Sequence, residues 1–266
     1  MNQHRFTDFH INKNVQCLPM TVMMNIVLLR LIHYVLALGT FVKQCLLKIP
    51  ALPFNKTDYS VVQSDARQLK KLPLHLGLIL CEKELSYADI ARTIVWSSAM
   101  GITYISVYDS NGVIKRNEHC LASELQKQRG LQTDSEKNKS DIQINSGWKT
   151  QDKCSSRTNV YLLSQQDGRQ SIVDVAKTIC CRVKSKQMKA AELNPQSLDV
   201  IFQEESGYPD PDIIIRFGSV ESLLGFMPWH VRLTEILSVP SHIGLEYKAF
   251  KSVLVNYGNT HQRFGK

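Results

Sequence analysis

The sequence predicts an α/β fold: a parallel central sheet flanked by helices, preceded by an N-terminal membrane helix. Three observations predict it. From Leu72 onward, short apolar runs alternate with longer helical patterns, and near-continuous apolar strands set between helices belong to parallel sheets covered on both faces. The composition, 43% hydrophobic and 21% charged over 266 residues, provides for a core and excludes wholesale disorder. Upstream, Met20 to Val42 is almost uniformly apolar and matches the roughly 20 residues that a bilayer-spanning helix needs.

Arg30 and His33 interrupt that apolar segment, and a central arginine is costly in hydrocarbon unless it snorkels or finds a partner. A buried core helix and an interfacial helix are the alternatives; apolarity nearly all the way round counts against the first. For a secretory signal peptide the run is too long and starts too late. Arg5 and Lys13 precede the segment, whereas Lys43, Lys48, Lys56, Arg67, Lys70 and Lys71 follow it. Positive flanks stay cytoplasmic, so the large carboxyl-terminal part is expected to face the cytosol. The expected division is 1–50 for an N-terminal segment with the anchor at about 20–42, 51–71 for a linker, and 72–266 for the α/β domain.

Within that domain, Leu76 to Leu80 is a continuous apolar strand. Ser86-Tyr87-Ala88-Asp89 resembles a capping box, with Asp in place of Glu or Gln, and opens a helix to Met100 that Gly101 stops. Ile102 to Tyr108 is the second strand and Asn159 to Leu163 the third. A helix follows over Ile172 to Val183, then a fourth strand over Leu198 to Phe202 and a fifth over Asp212 to Phe217. A last helix is expected from about Leu223 to Leu237. Between Asn117 and Arg157 the composition turns polar. That stretch, about 117–157, predicts a partly disordered surface insertion after a short initial helix, and trimming Lys115 to Ser156 with a short Gly/Ser bridge is expected to cost little activity.

The net charge of +8 favours anionic partners without choosing among nucleic acid, anionic lipid and phosphorylated metabolites. No aromatic–basic motif of the nucleic-acid-binding modules occurs, so no nucleic acid partner is expected. Seven cysteines, at 17, 45, 81, 120, 154, 180 and 181, include no C-x-x-C pair. Neither a zinc module nor a thioredoxin-type site is on offer, and scattered reduced thiols suit a cytosol-facing domain.

In open parallel sheets, ligands bind beyond the carboxyl ends of the strands. Three such ends can be read: Cys81-Glu82-Lys83-Glu84, Asp109-Ser110-Asn111-Gly112 and Arg216-Phe217-Gly218-Ser219. Arg216, after three isoleucines, suits an anion such as diphosphate; an edge-of-sheet salt bridge would explain it equally simply. Asp109 reads as turn chemistry, Glu82 and Glu84 as a solvated loop, and Cys81 as an inert thiol among apolar neighbours. The basic end His261-Gln262-Arg263-Phe264-Gly265-Lys266 reads, on pattern alone, as a frayed tail.

Pro209-Asp210-Pro211-Asp212-Ile213-Ile214-Ile215-Arg216-Phe217-Gly218 is more specific. Together with Gly225-Phe226-Met227-Pro228-Trp229-His230 and Leu233-Thr234-Glu235, it resembles the cis-prenyltransferases, which extend isoprenoid diphosphates with isopentenyl diphosphate. The likeness runs from about His75 to the carboxyl end, broken by the polar insertion. It is strongest to the accessory subunits of heteromeric members that make the polyprenyl diphosphate precursor of dolichol for protein glycosylation.

Departures from the catalytic pattern shape what the resemblance implies. Catalytic members follow the first strand with Asp-Gly-Asn, whose aspartate serves magnesium-assisted loss of the allylic diphosphate; here Cys81-Glu82-Lys83 stands there. A thiol lacks the hard oxygen that magnesium prefers. In the later Arg-Thr-x-Gly-Glu-x-Arg pattern Arg216 is kept, but the second arginine is replaced by Ser222. The Phe-Ser-x-Glu-Asn block after the second strand is absent.

The resemblance therefore implies a non-catalytic subunit, inactive alone, beside a catalytic cis-prenyltransferase partner that binds most of the magnesium. No metal site is expected in this chain. At the shared site, isopentenyl diphosphate and an allylic prenyl diphosphate would meet Arg263, Phe264 and Gly265, the Arg-x-Gly that such subunits lend in trans, with Arg216 a weaker candidate. The implied location is the endoplasmic reticulum membrane. A membrane-anchored receptor or lipid-trafficking adaptor, using the α/β domain as a platform, is the alternative.

Overall fold

The computed structural model describes residues 20–48, 59–130, 142–149 and 158–260. The chain forms two compact units, 1–52 and 53–266. In the first, α1 (Met20–Lys48) is a single helix. Its described side chains, 24–39, are all exposed, Val27, Leu31, Val35 and Leu38 among them. Among the described residues no helix is long and apolar enough to cross a membrane. The anchor expected over about 20–42 lies along α1, and its side chains outside 24–39 are not among those described.

The second unit begins with α2 (Tyr59–Gln68) and proceeds through β1 (His75–Leu80), α3 (Tyr87–Met100), β2 (Tyr104–Asp109), α4 (Val113–Arg116) and α5 (Glu118–Gly130). There follow β3 (Ile142–Ser146), β4 (Thr158–Leu163), α6 (Gln165–Lys184), α7 (Pro195–Ser206), β5 (Ile213–Phe217), β6 (Glu235–Val239) and α8 (Tyr247–Asn259). The six strands lie in the order β3-β4-β2-β1-β5-β6, and every pairing is parallel. The expected parallel sheet with flanking helices is therefore what forms.

Alternation along the strands divides the interior in two. Leu76, Leu78 and Leu80 face α2, α3, α5 and α8, packing with Val62, Ile94, Leu121 and Leu254. Ile79, Tyr108, Tyr161 and Ile214 face α6 and α7, meeting Val175, Ile179 and Phe202. Successive strand side chains point to opposite faces, so continuous apolar strands fill both layers.

The start of α3 matches expectation: Ser86 Oγ accepts the Asp89 amide at 3.3 Å, and Gly101 closes the helix at φ 95°. Four expectations are corrected. Leu198–Phe202 is helical, not a strand, because Asn194 caps it, Pro195 sits in its first turn and Gly207 ends it in the left-handed region. The helix expected from Leu223 to Leu237 is instead a series of turns leading into β6; Leu224 and Met227 both have positive φ, which interrupts any helix. The helix expected from Ile172 starts at Gln165, where Ser164 and Asp167 form a capping box. The polar insertion at about 117–157 contains α5, longer than a short initial helix, and the sheet strand β3; its positions 131–141 and 150–157 lie outside the described residues.

Candidate functional site

The order of the sheet places the crevice. From β1 the chain moves to β2 and outward on one side, then returns to lay β5 and β6 on the other. The direction reverses between β1 and β5, and in such sheets the opening beyond the carboxyl ends at that point takes ligands. Two of the three ends read from the sequence, Cys81–Glu84 and Arg216–Ser219, flank it. The third, at Asp109, follows β2; there Asp109 accepts the amides of Val113 and Ile114 at 2.7 and 3.1 Å, confirming turn chemistry.

Glu82 is half-buried and bonded rather than a freely solvated loop residue. Its carboxylate accepts Ser241 Oγ at 2.5 Å and the His242 amide at 2.9 Å, and His242 Nδ1 also donates to it. Nε2 of the same buried ring accepts the Ser86 amide at 3.0 Å. With Nδ1 donating and Nε2 accepting, the bonding selects the neutral Nδ1–H tautomer. Burial works to raise the Glu82 carboxyl, but the donors from His242 and Ser241 outweigh it and hold it below the usual range. One turn further, Asp89 Oδ2 accepts the Gly244 amide at 3.1 Å. The connection from β6 to α8 is thus fastened across the crevice to the end of β1 and the start of α3. No local pattern marks this fastening, because Glu82 and His242 stand 160 positions apart.

Arg216, paired in register with Ser238, donates from Nη2 to its Oγ at 2.7 Å. Its Nε is buried and finds no partner among the described residues. The edge-of-sheet salt bridge is absent among the described ion pairs, and an arginine with an unused buried donor keeps capacity for an anion. Burial pushes the Cys81 thiol up, with Arg216 acting in the opposite sense, so the residue is a neutral thiol as expected. This donor set, a neutral thiol beside a carboxylate already committed to His242 and Ser241, does not fit a magnesium ion. Among the described residues no cluster of three or more His, Cys, Asp or Glu side chains could hold a metal.

On the opposite face of the sheet the space is closed. Tyr108 OH donates to the Leu224 carbonyl at 2.5 Å, and the loop that follows rests on α6 at Gly168, where a Cβ would collide with the Gly225 carbonyl oxygen. What remains among Tyr108, Ser164, Asp167, Tyr208 and His230 is a cavity of about 10 Å³.

The most recognisable motifs serve the fold. Asp212 accepts the Leu74 and His75 amides at 2.7 and 3.0 Å, at the amino edge of the sheet, away from the crevice. Buried His75 donates from Nδ1 to the Pro209 carbonyl at 2.6 Å and accepts Ser106 Oγ at 2.8 Å through Nε2. Burial drives its pKa down to about 4, against the pull of the Pro209 carbonyl. Trp229 stacks on Phe202 at 4.9 Å and donates to Asp199 at 2.8 Å, while His230 bonds Asp210 at 2.7 Å.

Arg263, Phe264 and Gly265 lie outside the described residues. The helix before them is placed. α8 starts beside Glu82 and Asp89 and ends where Gly258 approaches Lys71, so it runs from the carboxyl edge of the sheet to the amino edge.

The family profile described as "Putative undecaprenyl diphosphate synthase" matches residues 83–265. The chain belongs to this prenyltransferase family. Among curated members, it is similar to the dehydrodolichyl diphosphate synthase complex subunit NUS1 of Homo sapiens, at 42% identity over 77% of this chain and 70% of that one. The subunit of the same name from Saccharomyces cerevisiae is 25% identical over 77% of this chain and 63% of its own length. Among solved structures, lavandulyl diphosphate synthase from Lavandula x intermedia, bound to dimethylallyl diphosphate, superposes with a TM-score of 0.53. It is 16% identical and covers 73% of this chain and 99% of its own. At that identity it shows the shared prenyltransferase fold alone.

Proposed function

We propose that this chain is the non-catalytic subunit of a heteromeric cis-prenyltransferase, a dehydrodolichyl diphosphate synthase complex that makes the polyprenyl diphosphate precursor of dolichol. The observation that carries the reading is the crevice between β1 and β5. Its carboxylate, Glu82, is spent on His242 and Ser241, and Cys81 offers no hard ligand, so a catalytic partner must supply the magnesium-binding carboxylate. Magnesium held by the partner's carboxylate would supply the charge neutralisation that a departing diphosphate needs. The closed space beside Tyr108 and Gly168 favours the same reading, since about 10 Å³ is far below the roughly 300 Å³ or more of a ligand pocket. Similarity to named complex subunits in human and yeast supports it independently.

The contribution of this chain is its tail. Arg263 would donate to substrate diphosphate in the partner's site, and Gly265 would let the backbone approach phosphate closely. Reach favours action in trans. α8 has 13 residues, so it carries the chain about 19 Å from its own crevice, and three further residues can span at most about 10 Å. Attachment falls to the N-terminal unit. The exposed apolar side chains of α1 need a cover that a bilayer provides, with the prenyltransferase domain on the cytosolic side of the endoplasmic reticulum.

The test is prenyl transfer from isopentenyl diphosphate to farnesyl diphosphate with magnesium, measured for this chain, the catalytic subunit, and both together. No turnover is expected from this chain alone, and the pair should exceed the catalytic subunit alone. Turnover by this chain free of partner would overturn the proposal.

A further inference from the structure

The limb formed by β6, α8 and the tail is held in two different ways. Phe250, Leu254 and Tyr257 bury one face of α8 in the core. Apolar burial is non-directional: it decides which face points inward but only weakly how far the helix slides along its axis. Most of the directional contacts lie at the amino end, the Lys71 ammonium over the Tyr257 ring at 4.6 Å being one at the other end. Glu82 holds Ser241 and His242, His242 holds the Ser86 amide, and Asp89 holds Gly244. Tyr247 OH and Lys251 meet Asp65 of α2 at 2.8 and 2.7 Å. His242 is only 2% exposed, so its bonds are shielded from competing water.

From this we infer that Glu82 is a positioning residue for the partner's reaction: the Glu82–His242 clasp fixes the axial register of α8 and thereby the place to which the tail is delivered. The inference rests on the trans-acting tail proposed above. It gives the residues beside the crevice a task there, since they set the geometry of a donor that works elsewhere. Glu82 acts through Arg263 and touches no substrate.

The test uses the full chain co-expressed with its catalytic subunit, with complexes matched for subunit content, and steady-state kinetics in isopentenyl diphosphate. Four proteins are compared: wild type, Glu82→Ala, Arg263→Ala and the double variant. Arg263→Ala is expected to lose roughly 10- to 100-fold in kcat/KM. Glu82→Ala should lose about 3- to 10-fold, and the double variant should match Arg263→Ala within about twofold, because the clasp has nothing to position once the arginine is gone. Glu82→Gln, which keeps an acceptor for Ser241 and the His242 amide, should recover part of the loss.

A clasp that serves stability alone would lower the yield of complex but leave matched complexes with wild-type kinetics. That result, with Arg263→Ala impaired, overturns the inference and leaves the tail reading standing. Losses that multiply in the double variant also overturn it, since Glu82 would then act by another route. Wild-type kinetics for Arg263→Ala sinks both. If Glu82→Ala does not fold, Glu82→Gln and Ser241→Ala are each paired with Arg263→Ala and judged by the same non-additivity.

Discussion

His75 shows how a single buried ring ties stability to pH. In the fold its pKa is lowered to about 4 from 6.5, so between those values the unfolded chain binds a proton that the folded chain does not. Stability from this group is fully present above pH 6.5 and is lost as pH falls toward 4, by up to about 1.4 kcal/mol per unit. Denaturant midpoints measured from pH 7.5 to 4 should fall accordingly, and His75→Gln should flatten the dependence across that window. Gly168 makes a steric prediction. An added methyl meets a backbone carbonyl, which cannot rotate aside as a side chain could, so Gly168→Ala should destabilise by about 1–3 kcal/mol in urea unfolding. A neutral result would mean that the 224–227 loop is free to retreat. Of the residues that matter here, Arg216 and Cys81 were legible, because each stands at the end of an apolar run. Glu82 and His242 were not, since their meaning lies in each other and their separation hides it.

At the scale of elements, the sequence was most readable where caps and period agree. α3 was found from Ser86 to Gly101 because both signals are local. α7 was misread because Leu198, Val200, Ile201 and Phe202 look like a strand over five positions. The wider frame, with Asn194 and Pro195 before and Gly207 after, belongs to a helix. Polarity misled at the insertion. Leu121 and Leu125 of α5 are buried against α3, and β3 pairs with β4 over five positions from Ile142 to Ser146. Lys115 further binds Asp167 at 2.7 Å. Excising 115–156 with a short Gly/Ser bridge is therefore expected to abolish soluble folded protein. Leu121→Ala alone should cost about 2–5 kcal/mol in chemical denaturation. Recovery of a folded, fully stable trimmed chain would show that these contacts are dispensable.

At the scale of the whole molecule, the division at residue 52 predicts separability. The fragment 53–266 should unfold at the same denaturant concentration as the full chain in detergent and should stay in solution when mixed with anionic vesicles, whereas the full chain sediments with them. Co-sedimentation of the fragment would reveal a second membrane-binding surface within the α/β unit.

The arrangement of the sheet also governs how the protein is born. The central strand β1 has one neighbour, β2, close behind it in the chain, but β5 arrives much later: Asp212, at the threshold of β5, bonds to His75 across 137 positions. At about 5–20 residues per second of synthesis, that gap lasts on the order of ten seconds. Throughout it Leu76 to Leu80 has one backbone edge with nothing to pair with, an open template for other strands. A nascent chain that stalls before residue 213 holds four of the six strands and ends its sheet at the bare edge of β1. Its fate is decided by whichever arrives first, a chaperone or another unfinished chain.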